Sequence, residues 1–259
     1  IRELEQQQQL PEHYYILEVS ADLRARQQTA VKSQLPHLFH HFHWLDRLPE
    51  KPFNGIILGN ELLDAMPVHL LKIEKSQVYE RYVSVKDEQF VWHDDQPEDN
   101  RLMKCAAQIR QLHQQQSQLN PTPESAYITE VNLQARDWIK TIAEVLGTGA
   151  LLLIDYGYPA REYYHPQRSM GTLMCHYRHH RHDDPFYLPG IQDITAHIDF
   201  TAIAEAAIAS NLQVYGYTTQ AHFLLGGGLL ELSQRYDPED IARYTEIARQ
   251  IKVLTMPGE

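Results

Sequence analysis

Cysteine is nearly absent: only Cys105 and Cys175 occur in 259 residues. Two thiols so far apart make no disulfide framework, which favours a reducing compartment and excludes the small secreted scaffolds that rely on such staples. No apolar run approaches the roughly eighteen residues that span a bilayer, so membrane insertion is not expected. Basic residues are in deficit, 23 Lys and Arg against 34 Asp and Glu for a formal charge of −11. General nucleic-acid binding needs the opposite balance, because phosphates must be neutralised. There is no GxSxG elbow, no HExxH spacing and no internal repeat, which removes the usual signatures of hydrolase nucleophiles and zinc proteases.

What is present is ordinary globular material, 43% hydrophobic and 22% charged, long enough for one large domain or two small ones. The opening Ile1-Arg2-Glu3-Leu4-Glu5 and its four glutamines match neither a signal peptide nor a transit peptide, and read as helix interior with its start upstream. Tyr14 to Val19 reads as a strand and Ala21 to Gln34 as a helix capped by Ser20 and stopped by Pro36. His41 to Leu45 and Gly55 to Leu58 are further strands. This rhythm predicts an α/β fold built on a doubly wound sheet. From Leu70 to His93 short apolar runs alternate with polar turns, as in an inserted β-meander, and Arg101 to Gln118 forms a polar helix.

The α/β rhythm then resumes. Asn132 caps a helix with an apolar stripe of Trp138, Ile142, Val145 and Leu146, which Gly147 and Gly149 close. Ala150 to Ile154 is a buried strand. The stretch 159–195 is too long for a structureless connector and is expected to serve function or a partner. Thr201 to Asn211 is a helix, 213–217 and 221–225 are strands, and the triple glycine at 226–228 permits a tight strand-to-helix turn. In the final helix Asp237 caps, Pro238 takes the first position, and Glu239 and Asp240 lie in the first turn. The corresponding division is 1–69, an insertion 70–131, and 132–259.

Three strands end abruptly in carboxylates: Glu18, the run Asn60-Glu61 with Asp64, and Asp155. In open α/β sheets ligands bind beyond such strand ends, so the three are expected to line one crevice. An amide beside a carboxylate offers donors and acceptors to a cationic or amino-bearing ligand, although the same residues also suit a loop that caps a helix. At the position of Glu18, an acidic residue in nucleotide-binding α/β folds can accept hydrogen bonds from ribose hydroxyls, with a short side chain beside it leaving room for the sugar, although charged strand ends are also common without such a role. Thr195, His197 and Asp199 alternate with apolar residues and point into a cleft, or Asp199 caps the following helix, with Thr201 as its rival. His176, His179, His180, His182, Asp183 and Asp184 have the side chains of a metal site, but Arg178 and Arg181 among them disfavour a dication. A loop that binds an acidic group or a partner fits better, and no metal is expected.

Tyr15-Ile16-Leu17-Glu18-Val19-Ser20, the block Asn60 to Pro67, Leu153-Ile154-Asp155-Tyr156-Gly157, Gly171-Thr172-Leu173 with Asp183-Asp184-Pro185, and Asp193 to Phe200 occur in this order. In these five blocks the chain resembles the MidA-like family of S-adenosylmethionine-dependent methyltransferases. The resemblance implies a Rossmann-like class I methyltransferase sheet with a β-meander and helical insertion. It also implies a glycine-rich first motif upstream of Ile1, so that the first and last strands fall outside this chain. Mitochondrial members of that family assist assembly of respiratory complex I by methylating an arginine of a core subunit. The implied activity is thus protein-arginine methylation, with a non-catalytic docking factor on the same fold as the alternative. The implied cofactor is S-adenosylmethionine, held by Glu18, Ser20, Trp44, Asp46 and Asn60. The implied catalytic residues are Glu61 and Asp64, then Asp155, with His197 or Asp199 relaying a proton. The implied partner is a protein substrate such as a respiratory-chain subunit, alongside a homodimer. The implied compartment is the cytoplasm of a bacterium or the mitochondrial matrix of a eukaryote.

Overall fold

The computed structural model describes residues 1–75, 77–116, 126–178, 180–234 and 239–256. Helix α1 (Arg2–Gln6) precedes β1 (Tyr14–Leu17), α2 (Ala21–Gln34), β2 (Phe42–Leu45) and β3 (Phe53–Asn60). Next come β4 (His69–Glu74), β5 (Gln77–Lys86), β6 (Gln89–Asp95), α3 (Asn100–Gln116) and β7 (Tyr127–Val131). They are followed by α4 (Leu133–Val145), β8 (Leu146–Ile154), β9 (Gly157–Tyr158), α5 (Ala160–Tyr163), β10 (Met174–Tyr177) and β11 (His180–His182). Then come β12 (Asp193–Thr195), β13 (Ile198–Asp199), α6 (Phe200–Ala209), α7 (Gln220–Gly226), α8 (Leu229–Ser233) and α9 (Ile241–Thr255). The chain is therefore mixed α/β. No helix among the described residues is long and apolar enough to cross a membrane.

The chain divides into two compact units, one of Ile1–Gly55 with Glu144–Gly149 and one of Ile56–Ala143 with Ala150–Glu259. In the first unit β1 and β2 pair in parallel, Tyr14 opposite Phe42 and Leu17 opposite Leu45. The intervening α2 has its predicted bounds. Extended Ser20 accepts from the Leu23 amide at 3.3 Å, and Pro36 opens a separate 3₁₀ turn.

Instead of one continuous sheet, the described strands form separate ladders, with β3 beside β8, β9 beside β13, β11-β10-β12, and β6-β5-β4-β7. The meander is where it was expected, and β7 joins its edge against β4, Ile73 facing Tyr127. On α3 the side chains at 102, 105, 106, 109 and 113 share one buried face. Those at 102, 105, 106 and 109 join Leu71, Ile73 and Val78 of the meander in one core cluster. A second core joins Leu63, Ala135, Ile139, Ile198 and Ile203. Full burial of each large aliphatic chain there stabilises by roughly 1.5–3 kcal/mol.

Several local expectations give way to tertiary contacts. Gly147 and Gly149 do not close α4; the helix ends at Val145 and both glycines belong to β8. A side chain on Gly149 would lie 1.8 Å from the Gly55 carbonyl oxygen, so glycine is what permits this close approach. The buried face of α4 runs through Leu133, Ala135, Ile139 and Ile142 rather than through Trp138 and Val145. Residues 213–217 form no strand and 221–225 lie in α7, capped by Thr219. With no ladder partner among the described residues, β propensity there has nothing to pair with. The glycines at 226–228 consequently separate two helices. Asp240, not a first-turn residue, is the N-cap of α9; Asp237 and Pro238 lie outside the described residues. The stretch 159–195 is structured by α5, β10, β11 and β12.

Candidate active site

The end of β3 in the second unit is built by one carboxylate. Glu61 has a left-handed backbone, φ +47°, and its amide still donates to the Ile154 carbonyl at 2.9 Å, as a last rung against β8. The chain then turns so that three consecutive amides, those of Leu62, Leu63 and Asp64, donate to Asp155 Oδ2 at 3.2, 2.8 and 3.3 Å. Asp155 Oδ1 accepts from the Tyr156 amide at 2.9 Å. Successive amides converging in this way form an anion-binding nest, and here a side chain of the protein fills it. Leu63 is fully buried beneath the turn. Asn132 ties the same turn to α4: its Nδ2 donates to the Leu63 carbonyl at 3.1 Å and its Oδ1 accepts from the Ala135 amide at 2.8 Å.

Asp155 thus holds the turn together: Oδ2 is filled by three amides and Oδ1 accepts a fourth, which gives it a positioning role in this geometry. The groups it positions are Glu61, exposed at the turn, and Asp64, only 8% exposed. Burial, followed by the neighbouring charge of Asp155, pushes the Asp64 carboxyl up to about 6. A carboxylate of that basicity exchanges protons near neutrality. Asn60 is exposed at the end of β3.

His197 adjoins this turn, since the Ala196 amide donates to the Asp64 carbonyl at 3.1 Å. Its ring lies near those of Tyr156 and Tyr158, with centroids 6.5 and 5.4 Å away. Its buried Nδ1 has no partner, and desolvation, helped by Arg168, lowers its pKa. His197 is therefore a neutral imidazole with a free ring nitrogen beside the turn. Asp199 is different. It caps α6, accepting from the Thr201 and Ala202 amides at 3.1 and 3.2 Å, while Thr201 accepts from Ala160. Asp199 thus takes the capping role that the sequence also allowed, with Oδ1 serving both amides.

The first unit holds a second polar constellation. Glu18, one residue beyond β1, accepts from the Ser20 amide at 2.9 Å and from Gln27 Nε2 at 3.1 Å. Gln27 Oε1 in turn accepts from the Trp44 indole at 3.0 Å. Arg24, one turn earlier on α2, donates to the Trp44 carbonyl at 3.0 Å and pairs with Asp46. Glu18, Trp44 and Asp46 are thus joined through two side chains of α2. The Ser20 hydroxyl is occupied in capping, so it is the Ser20 amide that serves Glu18.

Sequence reasoning gives no role to Gln27, Arg24, Tyr156 or Glu130, although the first three lie in or beside the blocks that carry the family resemblance. Arg24 and Gln27 lie at helical spacing behind the Ser20 cap, which is the signal that would find them. Glu130, 1% exposed, accepts from the Thr172 and Leu173 amides, the Thr172 hydroxyl and the Tyr163 phenol. It leaves no room for a side chain on left-handed Gly171, φ +76°. The Thr172 hydroxyl also accepts from the His197 amide at 3.1 Å, so this clasp fixes the backbone at His197. Of the histidine cluster, His176, His180 and His182 lie on the β10–β11 hairpin, and His179 lies outside the described residues. No group of three metal-binding side chains occurs among the described residues.

Comparison with known proteins gives four findings. Residues 1–218 match a protein family described as "Putative S-adenosyl-L-methionine-dependent methyltransferase". A "Protein arginine methyltransferase NDUFAF7 homolog, mitochondrial" from Caenorhabditis elegans is 26% identical over 189 residues, 72% of this chain and 41% of the relative. A crystal structure from Burkholderia thailandensis, described as a "likely methyl transferase" bound to S-adenosyl-homocysteine, superimposes with a TM-score of 0.87. It is 40% identical, with 97% of this chain and 62% of that chain covered. A native crystal structure from the same organism gives a TM-score of 0.86 at 40% identity, covering 97% of this chain and 64% of that one. The chain thus spans less than two thirds of the length of each of these relatives.

Proposed function

The chain belongs to this family of S-adenosyl-L-methionine-dependent methyltransferases, and from that premise we propose that it methylates an arginine side chain of a partner protein. Support for an arginine acceptor comes from the nematode relative, which is named as a protein arginine methyltransferase. A respiratory complex I subunit is the acceptor we favour, and the Rossmann-like class I arrangement, with 70–131 as its insertion, is the fold reading that goes with it.

The observation that carries the proposal is the turn built on Asp155, which presents exposed Glu61 next to a buried carboxyl that titrates near neutrality. S-adenosylmethionine, when bound, supplies an electrophilic methyl group. The residues of the first unit fit it: the Glu18 carboxylate is oriented by Ser20 and Gln27 and keeps lone pairs for the two ribose hydroxyls. Trp44 and Asp46 are assigned to the adenine end, and Asn60 to the neighbourhood of the sulfonium.

An arginine guanidinium is protonated at pH 7, with a pKa above ~12. Glu61 accepts its N–H groups and draws positive charge away from the attacking nitrogen. As that nitrogen bonds to the methyl carbon, the methyl–sulfur bond of the cofactor would break to leave neutral S-adenosylhomocysteine, and the nitrogen would lose a proton that Asp64 takes directly or through water. His197, with its free Nδ1, is the next acceptor outward. Positioning supplies most of the acceleration in such a displacement.

The test uses the protein, labelled cofactor and a cell extract, with the labelled residue then identified. Label on arginine that falls at least about a hundredfold in Glu61→Gln, with the melting temperature unchanged, is the expected result. Full turnover in Glu61→Gln would remove that carboxylate from the reaction.

A further inference from the structure

Tyr156 stands at the same turn and takes no part in the transfer itself. Its backbone is fixed at both ends: the amide donates to Asp155 Oδ1 at 2.9 Å, and the carbonyl accepts from the Ile198 amide at 2.7 Å. The negative charge of nearby Glu61, with burial, raises the pKa of its phenol. One side of the ring lies near the His197 imidazole, the two planes 24° apart with centroids 6.5 Å apart. The residue is nevertheless 60% exposed. A tyrosine held this firmly yet left open presents a rigid aromatic face beside a carboxylate.

That combination has a defined chemistry. A planar guanidinium stacks on an aromatic face while its in-plane N–H groups reach a carboxylate; an ammonium gains the charge contact but does not stack in the same way. The molecule uses this stacking two residues further on, where the Arg168 guanidinium carbon lies 4.6 Å from the centre of the Tyr158 ring. It also places Arg81 over Trp92 at 5.8 Å. Among the described residues, no guanidinium of the chain takes that position on Tyr156.

We propose that Tyr156 is a specificity-determining residue, whose ring selects a guanidinium acceptor over an ammonium acceptor at the Glu61 carboxylate. The inference rests on the assignment of the Glu61 turn as the acceptor site. It adds a division of labour: Glu61 supplies attraction for any cation, and Tyr156 supplies the preference for a flat one.

The test titrates the protein, saturated with S-adenosylhomocysteine, with N-acetyl-arginine amide and separately with N-acetyl-lysine amide, monitored by ligand NMR. The wild-type protein is expected to favour the arginine probe by about tenfold. Tyr156→Leu should weaken the arginine probe by about that factor and leave the lysine probe within twofold, erasing the ratio. Tyr156→Phe should retain most of the ratio. A residue with a merely structural role would weaken both probes together. Equal affinities in the wild type, or an unchanged ratio in Tyr156→Leu, overturns the proposal. Glu61→Gln separates the two levels: if it alters neither probe, the acceptor site lies elsewhere and the underlying reading fails as well. Binding of neither probe by the wild type overturns both.

Discussion

Asp155 and Glu18 look alike in the sequence, each a carboxylate that ends an apolar strand, yet they do opposite work. Asp155 receives four backbone amides from the two segments beside it, and its charge is consumed in holding a turn. Glu18 receives one amide and one side-chain amide, which orient it without saturating it. The local backbone sets the difference. After Glu18 the chain enters α2 at once, so only the Ser20 amide is within reach. Asp155 instead meets a turn from another strand, whose amides have no carbonyl partners. A strand-end carboxylate is therefore a scaffold where it meets unpaired backbone, and keeps free lone pairs where a helix has already claimed the neighbouring amides.

Three substitutions probe that contrast. Asp155→Ala leaves four amides without their acceptor and should destabilise the protein by roughly 3 kcal/mol, with activity lost as the Glu61 turn relaxes. Urea denaturation measures the first and methyl transfer the second; unchanged stability would break the distinction between scaffold and ligand group.

Asp64→Asn has a pH signature. The folded protein holds the Asp64 proton up to about pH 6 against an ordinary value of 3.8. The folded state therefore binds protons more tightly than the unfolded one, and stability falls as pH rises from about 4 to beyond 6. The amide should remove that fall and be more stable than wild type at pH 8 by on the order of 2 kcal/mol. It should also abolish the rise in activity through pH 6, as melting and rate profiles against pH will show.

Glu18→Gln should have the smallest effect. It keeps its neighbours' geometry but loses charge-assisted acceptance, so S-adenosylhomocysteine should bind about tenfold more weakly by calorimetry, with no change in melting temperature. A large stability loss here would make Glu18 a second scaffold and erase the comparison.

The sequence carries these outcomes unevenly. The bounds of α2 are readable because its stop and start are local, a serine hydroxyl and a proline ring. The meander is readable because its short alternating runs and turns are local as well. The three strand-end carboxylates are legible as positions but not as roles, because a role depends on which amides lie within reach. Those amides, at 62–64, come from residues more than ninety positions from Asp155. Gly147 and Gly149 show the same limit. Helix-closing preference is local, whereas the need to lie against Gly55 is not. Family resemblance named Glu61 and Asp64, but only the fold shows the burial that makes Asp64 basic and the hydrogen bonds that hold Tyr156 at the same turn.

Glu61 adopts a conformation that glycine or asparagine holds more easily, at a cost of about 1 kcal/mol for an ordinary side chain. On the role proposed for Glu61, heat resistance and turnover pull in opposite directions at this one position. Optimisation of the protein by melting temperature alone would drift toward glycine at 61, trading the proposed cation clamp for a sturdier turn.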